Sequence, residues 1–143
     1  MDTIVVGVDG SACAKAALEY AVQEAALRGA QLRIVSAWEL TAMTDPGSVF
    51  PPAAIDRLRE EAQAAVRDAL ERAAELQPAV PSEGKVVEGH AARVLIEEAK
   101  DASLIVVGNR GRGGFASLLL GSTSQQVVHH AHCPVTVARA AVC

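Results

Sequence analysis

The sequence predicts an α/β fold, a single doubly wound, Rossmann-like parallel sheet of five strands with helices on both faces. Short apolar runs alternate with longer amphipathic stretches along the whole chain. Strands separated by helices of about ten or more residues need right-handed crossovers, and these lay successive strands parallel. Runs such as Thr3-Ile4-Val5-Val6 and Leu104-Ile105-Val106-Val107 are continuously apolar, as in strands buried on both faces. A length of 143 residues is one domain's worth, read as a single domain over 1–143, and half the residues are apolar while 3% are aromatic. The core is therefore built from Val, Leu, Ile and Ala, with helices packing close on small side chains.

The first strand is read over Thr3 to Val8 and is broken by Asp9-Gly10-Ser11. Ala14, Ala17, Leu18, Ala21, Val22 and Ala25 then recur at helical spacing until Gly29 ends the helix. Gln31 to Trp38 is the second strand. Glu39 to Pro52, with Pro46-Gly47 and Pro51-Pro52, is a loop of the length that often covers a site. Pro52 opens a long helix to Leu76, with Ile55, Leu58, Ala62, Ala65, Val66, Ala69 and Leu70 as its apolar stripe. A third strand is read over Gly84 to Glu88, a third helix over Ala91 to Lys100 and a fourth strand over Leu104 to Val107. A helix from Ser122 to Ala131 and a strand from Pro134 to Ala138 close the chain.

Between the fourth strand and the last helix lies Gly108-Asn109-Arg110-Gly111-Arg112-Gly113-Gly114, followed after an apolar run by Gly121-Ser122-Thr123-Ser124. Glycines let the backbone approach a ligand with no Cβ in the way. A helix starting near Ser122 presents unpaired N–H groups and the positive end of its dipole, so loop and helix start together form an anion cradle. Ser122, Thr123 and Ser124 add hydroxyl donors, and Arg110 and Arg112 add positive charge. A plain turning loop with Ser122 as N-cap is the alternative. A P-loop is excluded because Gly113 is followed by Gly114-Phe115 rather than Lys-Ser/Thr at the required spacing. Gly111-x-Gly113-x-x-Ala116 matches the dinucleotide fingerprint, but no acidic residue follows Asp101 to hold the ribose.

Gly108, Gly111, Gly121 and Ser122 fill the pattern Gly, two residues, Gly, nine residues, Gly-Ser/Thr. With Ile4-Val5-Val6-Gly7-Val8-Asp9-Gly10-Ser11 at the start and Cys133-Pro134-Val135-Thr136-Val137 near the end, the chain resembles the nucleotide-binding members of the universal stress protein family. The resemblance implies the strand order 3-2-1-4-5, with ligand at the switch point between strands 1 and 4. Asp9 and Gly108 would then face each other across one crevice. Beside phosphates, Asp9 would bind a ribose hydroxyl or hold a Mg ion bridging the phosphates; its other use is an Asx-turn or N-cap. The nucleotide set implied is Asp9, Gly10, Ser11, Ala37, Gly108, Asn109, Arg110, Gly111, Arg112, Gly113, Gly114, Gly121, Ser122, Thr123 and Ser124. Ala37 matches the position whose backbone meets adenine. Trp38 beside it has two uses, stacking on the base or covering a dimer surface.

The function implied is a small cytoplasmic stress-response protein that binds ATP or another adenine nucleotide. A slow ATPase is the enzymatic alternative, opposed by the lack of a Glu or His placed near the phosphate loop to orient water. A dimeric partner-binding module without nucleotide is the third reading, opposed by the intact glycine spacing. Members of the family pair their last strands, which implies a homodimer through Val135-Thr136-Val137-Ala138, an edge otherwise in need of protection.

A net charge of −4 gives no sequence-wide attraction to nucleic acid or an anionic membrane surface. The apolar runs fall far short of the roughly 20 residues of a membrane span, and the N-terminus reads directly into a strand with no signal peptide. Cys13, Cys133 and Cys143 are an odd number without CxxC spacing, which suits a reducing compartment rather than a disulfide framework. His129, His132 and Cys133 have helical spacing for a metal, but a helix C-terminus favours His without one. His90 follows an edge strand in the implied order and is assigned a structural role.

Overall fold

The computed structural model describes residues 1–40, 51–109 and 120–140. Its elements are β1 (Thr3–Gly7), α1 (Ala12–Arg28), β2 (Gln31–Trp38), α2 (Pro52–Leu76), β3 (Ser82–Glu88), α3 (Ala91–Glu98), β4 (Leu104–Gly108), α4 (Ser122–His130) and β5 (Val135–Ala138). The strands form one sheet in the order β3-β2-β1-β4-β5, each paired parallel to its neighbour. This is the doubly wound, Rossmann-like arrangement expected.

Alternation along the central strands divides the core into two. Ile4, Val6, Leu32, Ile34, Leu104 and Val106 face α1 and α2. Val5, Val35, Ile105 and Val107 face the other way, onto α3 and α4. Every member of the α1 stripe is buried, and on α2 the buried line runs one turn beyond the stripe, to Ala73.

Local chemistry sets the helix ends. Ser11 caps α1 by accepting the Ala14 N–H at 3.2 Å. Gly29 closes it at φ 65, and the Ala30 N–H reaches back to the Ala25 carbonyl at 2.9 Å. Pro52 occupies the first turn of α2, where its missing N–H costs nothing.

Two boundaries differ from the sequence expectation by two residues, while the ends of β1, β4 and α4 and the start of β5 differ by one. β3 begins at Ser82, so Gly84 lies within the strand instead of opening it. The added residues are polar and exposed, held by ladder pairing of Leu32 with Ser82 and Arg33 with Glu83 rather than by burial. A Cβ at Gly84 would overlap Val66 Cγ1, so glycine permits α2 to lie close on β3. The helix α3 ends at Glu98, with Ala99 capping it, two residues short of Lys100.

Arg33 clamps this edge of the sheet. Its Nε donates to Glu83 Oε1 at 2.7 Å and its Nη1 to the Glu98 carbonyl at 2.7 Å, joining β2, β3 and the end of α3. The hydrogen bond to Glu83 holds the guanidinium charge above its ordinary pKa. Cys13 is disulfide-bonded, contrary to the expectation from an odd cysteine count, which carries no information on connectivity.

Candidate functional site

A cleft opens where the chain leaves the carboxyl ends of β1, β2 and β4. Its walls include Asp9 and Ser11 after β1, Val35 and Ala37 of β2, Val107 and Gly108 of β4, and Thr123 and Ser124 in the first turn of α4. Ala91 and Leu95 of α3 complete it. Open parallel sheets place ligands at such a point, where strand order reverses. Asp9 and Gly108 thus border the same crevice.

Asp9 Oδ1 accepts the Ser11 N–H at 2.9 Å, an Asx-turn that shapes the step from β1 to α1. Gly10, the residue between, turns at φ 83 and lines a groove between α1 and α2 instead of the cleft. Glycine adopts that φ without strain.

On the opposite wall, Gly121 is the N-cap of α4 and supplies no side-chain cap, leaving the first-turn N–H groups to other acceptors. Ser122 is exposed at the first helical position, and Thr123 lines the cleft beside it. Ser124 is 3% exposed and donates its hydroxyl to the Gly108 carbonyl at 2.5 Å. That proton ties α4 to β4 and is not available to a ligand.

Asn109 is also turned inward, at 3% exposure. Its N–H donates to the Ala138 carbonyl at 2.9 Å, and its own carbonyl accepts the Gly121 N–H at 2.7 Å. Its Oδ1 lies 2.9 Å from Cys13 Sγ. Through its backbone, Asn109 joins the end of β5 to the start of α4. Arg110, Gly111, Arg112, Gly113 and Gly114 lie outside the described residues.

A family model described as "Universal stress protein family" matches residues 1–139. The chain belongs to this family. A universal stress protein of Mycobacterium tuberculosis H37Rv is 38% identical over 137 residues, covering 95% of this chain and 45% of the relative. A second from the same strain is 40% identical over 149 residues, covering 99% of this chain and 50% of the relative. The chain thus spans about half the length of the curated relatives it matches. Among solved structures, a universal stress protein in complex with cAMP is 30% identical, with a TM-score of 0.73, over 96% of each chain.

In this universal stress protein Gly108 has a task the motif alone did not reveal. A Cβ there would lie 2.8 Å from the backbone carbon and oxygen of Cys13, so glycine lets the first turn of α1 pack against the end of β4. Trp38 likewise has a third use: the Arg59 guanidinium of α2 sits 5.4 Å from its ring centroid, a cation–π contact.

The cleft wall formed by α3 was not read from the sequence. His90 was set aside because β3 is an edge strand, yet the connection from β3 to β4 must pass back over β2 and β1. Helix α3 therefore lies over the middle of the sheet, in contact with β1, β2 and α4, and its start meets the cleft. The implied strand order already contained that signal.

Proposed function

We propose that the cleft binds an adenine nucleotide, ATP with a divalent cation, and that the protein acts in stress adaptation through this bound state. The observation that carries this is the convergence of Asp9, Ala37, Gly108 and Thr123 on one cleft, against a helix start without a side-chain cap. The uncapped N–H groups of α4 suit phosphate. Asp9, whose carboxylate accepts the Ser11 N–H at the cleft wall, would meet a ribose hydroxyl or a phosphate-bound Mg ion. Support also comes from the relative solved with cAMP, an adenine nucleotide, at 30% identity.

Thermal melting with and without Mg-ATP, AMP and cAMP tests this, with Ser122→Asp as the deciding variant. Ligand at about a hundred times its Kd stabilises by roughly 2.7 kcal/mol, and a chain of this size gains about 2–4 °C per kcal/mol, so a rise of roughly 5–10 °C is expected. A carboxylate at exposed Ser122 is favourable to a helix start but occupies the anion's place. The unliganded variant should melt at or slightly above the native temperature and lose the ligand-induced rise. No rise with any of the three nucleotides in the native chain would reject the proposal.

The same reading includes a homodimer through β5. Within the described residues β5 pairs with β4 alone, leaving an apolar outer edge of the kind that seeks a partner strand. Sedimentation at micromolar concentration should give twice the chain mass, and Val137→Pro should reduce it to the monomer; a native monomer would refute the pairing.

A further inference from the structure

We propose that His90 is a proton-dependent clasp on the cleft, a positioning residue whose charged form holds the end of β2 and the middle of α4 together and tightens nucleotide binding. The proposal rests on the nucleotide reading and adds a regulator to it.

The geometry is a three-element junction. His90 directly precedes Ala91, a cleft residue, at the N-cap of α3. Its Nδ1 is 3.0 Å from Glu39 Oε1 and its Nε2 is 2.9 Å from Gln126 Oε1. Glu39 follows cleft-lining Ala37 by two positions, and Gln126 follows cleft-lining Ser124 by two. A single imidazole therefore links the end of β2, the start of α3 and the middle of α4, three elements that wall the cleft.

Both atoms facing the ring are oxygens. A carboxylate and an amide oxygen only accept hydrogen bonds, so both ring nitrogens can donate only when the imidazole is protonated. The neutral ring carries one N–H and must release one partner, unless the Gln126 amide turns over. The fold places the ring there deliberately on both sides. The Gly89 N–H donates to the Trp38 carbonyl at 2.8 Å, and the His90 carbonyl accepts the Val94 N–H at 2.9 Å. Gly89 has φ 150, a turn that favours glycine. The His90 side chain has no capping duty of its own.

Among the described residues, the groups facing the ring are Glu39 from the end of β2, Arg93 from α3 itself and the uncharged Gln126 from α4. The hydrogen bond to Glu39, then that to Gln126, raise the His90 pKa above its ordinary value, against desolvation and Arg93. A group raised on folding contributes fully below its unfolded pKa of about 6.5, and that contribution disappears as pH rises through the folded value. Acid closes the clasp and alkali opens it. The closed form preorganises the cleft. His90 and Glu39 are 46% and 38% exposed, so the effect is several-fold rather than orders of magnitude.

Calorimetric titration of the native chain and of His90→Gln with ATP and with adenosine, from about pH 5.5 to 8.5, tests this, with His90 followed by NMR in the same buffers. Adenosine removes the titrating phosphate, and the variant keeps a hydrogen-bonding side chain that does not titrate. The native affinity for adenosine should fall about three- to fivefold from the acid to the alkaline end, while the variant stays level. The midpoint should follow the His90 titration above about 6.5. Parallel pH profiles of native and variant, an opposite trend, or a His90 titrating at or below about 6.5 would overturn the clasp while leaving nucleotide binding intact. Absence of binding to either ligand at every pH would instead reject the nucleotide reading, and the clasp with it.

Discussion

Gly108→Ala should destabilise the protein by about 2–3 kcal/mol, lowering the melting temperature by roughly 5–10 °C. The added Cβ would stand 2.8 Å from the carbonyl carbon, Cβ and carbonyl oxygen of Cys13, which belong to the first turn of α1. Those atoms are not the far end of a flexible side chain, and relief requires the helix itself to shift. Backbone conformation is not the obstacle, since the positive-φ glycines among the described residues are Gly10, Gly29 and Gly89. The displaced helix carries Ser11, and Asp9 is tied to it by the Asx-turn, so the nucleotide-induced rise in melting temperature should shrink as well. A variant that melts within about 1 °C of the native chain would show that α1 has room to move.

This double role of Gly108 marks how far the sequence could be read. A glycine in a phosphate-loop pattern announces that the backbone must come close to something, but not whether that is a ligand or a helix. Gly84 is the same case inside a strand, where the neighbour is Val66 of α2. The buried strands were legible because β1, β2 and β4 are covered on both sides and their apolar runs state it. β3 was legible only from Gly84 onward, because its first two residues, Ser82 and Glu83, face solvent at an edge and are fixed by ladder hydrogen bonds that leave no hydrophobic pattern.

The cleft was legible at its two anchor points, Asp9 and Gly108, since strand ends can be counted and the strand order follows from the resemblance. Its polar residues were harder to sort. Ser124 and Asn109 look like ligand contacts by type and position, and both are buried, with the Ser124 hydroxyl donating to the Gly108 carbonyl and the Asn109 backbone bonded to β5 and to Gly121. Side-chain direction in a first helical turn is decided by packing, which composition does not encode. His90 was passed over because its strand is peripheral, although the crossover that follows it is central.

Ile34→Ala should cost about 3–5 kcal/mol, the largest loss expected of a single side-chain truncation in this fold. With 3% aromatic residues in the chain, the bulk of the core comes from aliphatic side chains. The largest fully buried ones are Ile4, Leu32, Ile34 and Ile105, all on strands. The helices facing Ile34 contribute mainly alanines, among them Ala17, Ala21, Ala25, Ala69 and Ala73. Alanines have no rotamers with which to fill a void, so the cavity should stay open. The lateral neighbours offer little more, since Ile34 stands in register between Val6 on β1 and Gly84 on β3. Urea unfolding should show a lower midpoint at an unchanged slope, and Ile34→Val should lose only about 0.5–1.5 kcal/mol. Ile34 faces the α1 and α2 side, whereas Val35, the next residue, lines the cleft. The weakened Ile34→Ala protein should therefore keep its nucleotide-induced stabilisation, in contrast to Gly108→Ala. A loss below about 1 kcal/mol would mean that the strand and helix collapse onto the vacancy, and that the alanine-rich interface is more compliant than its packing implies.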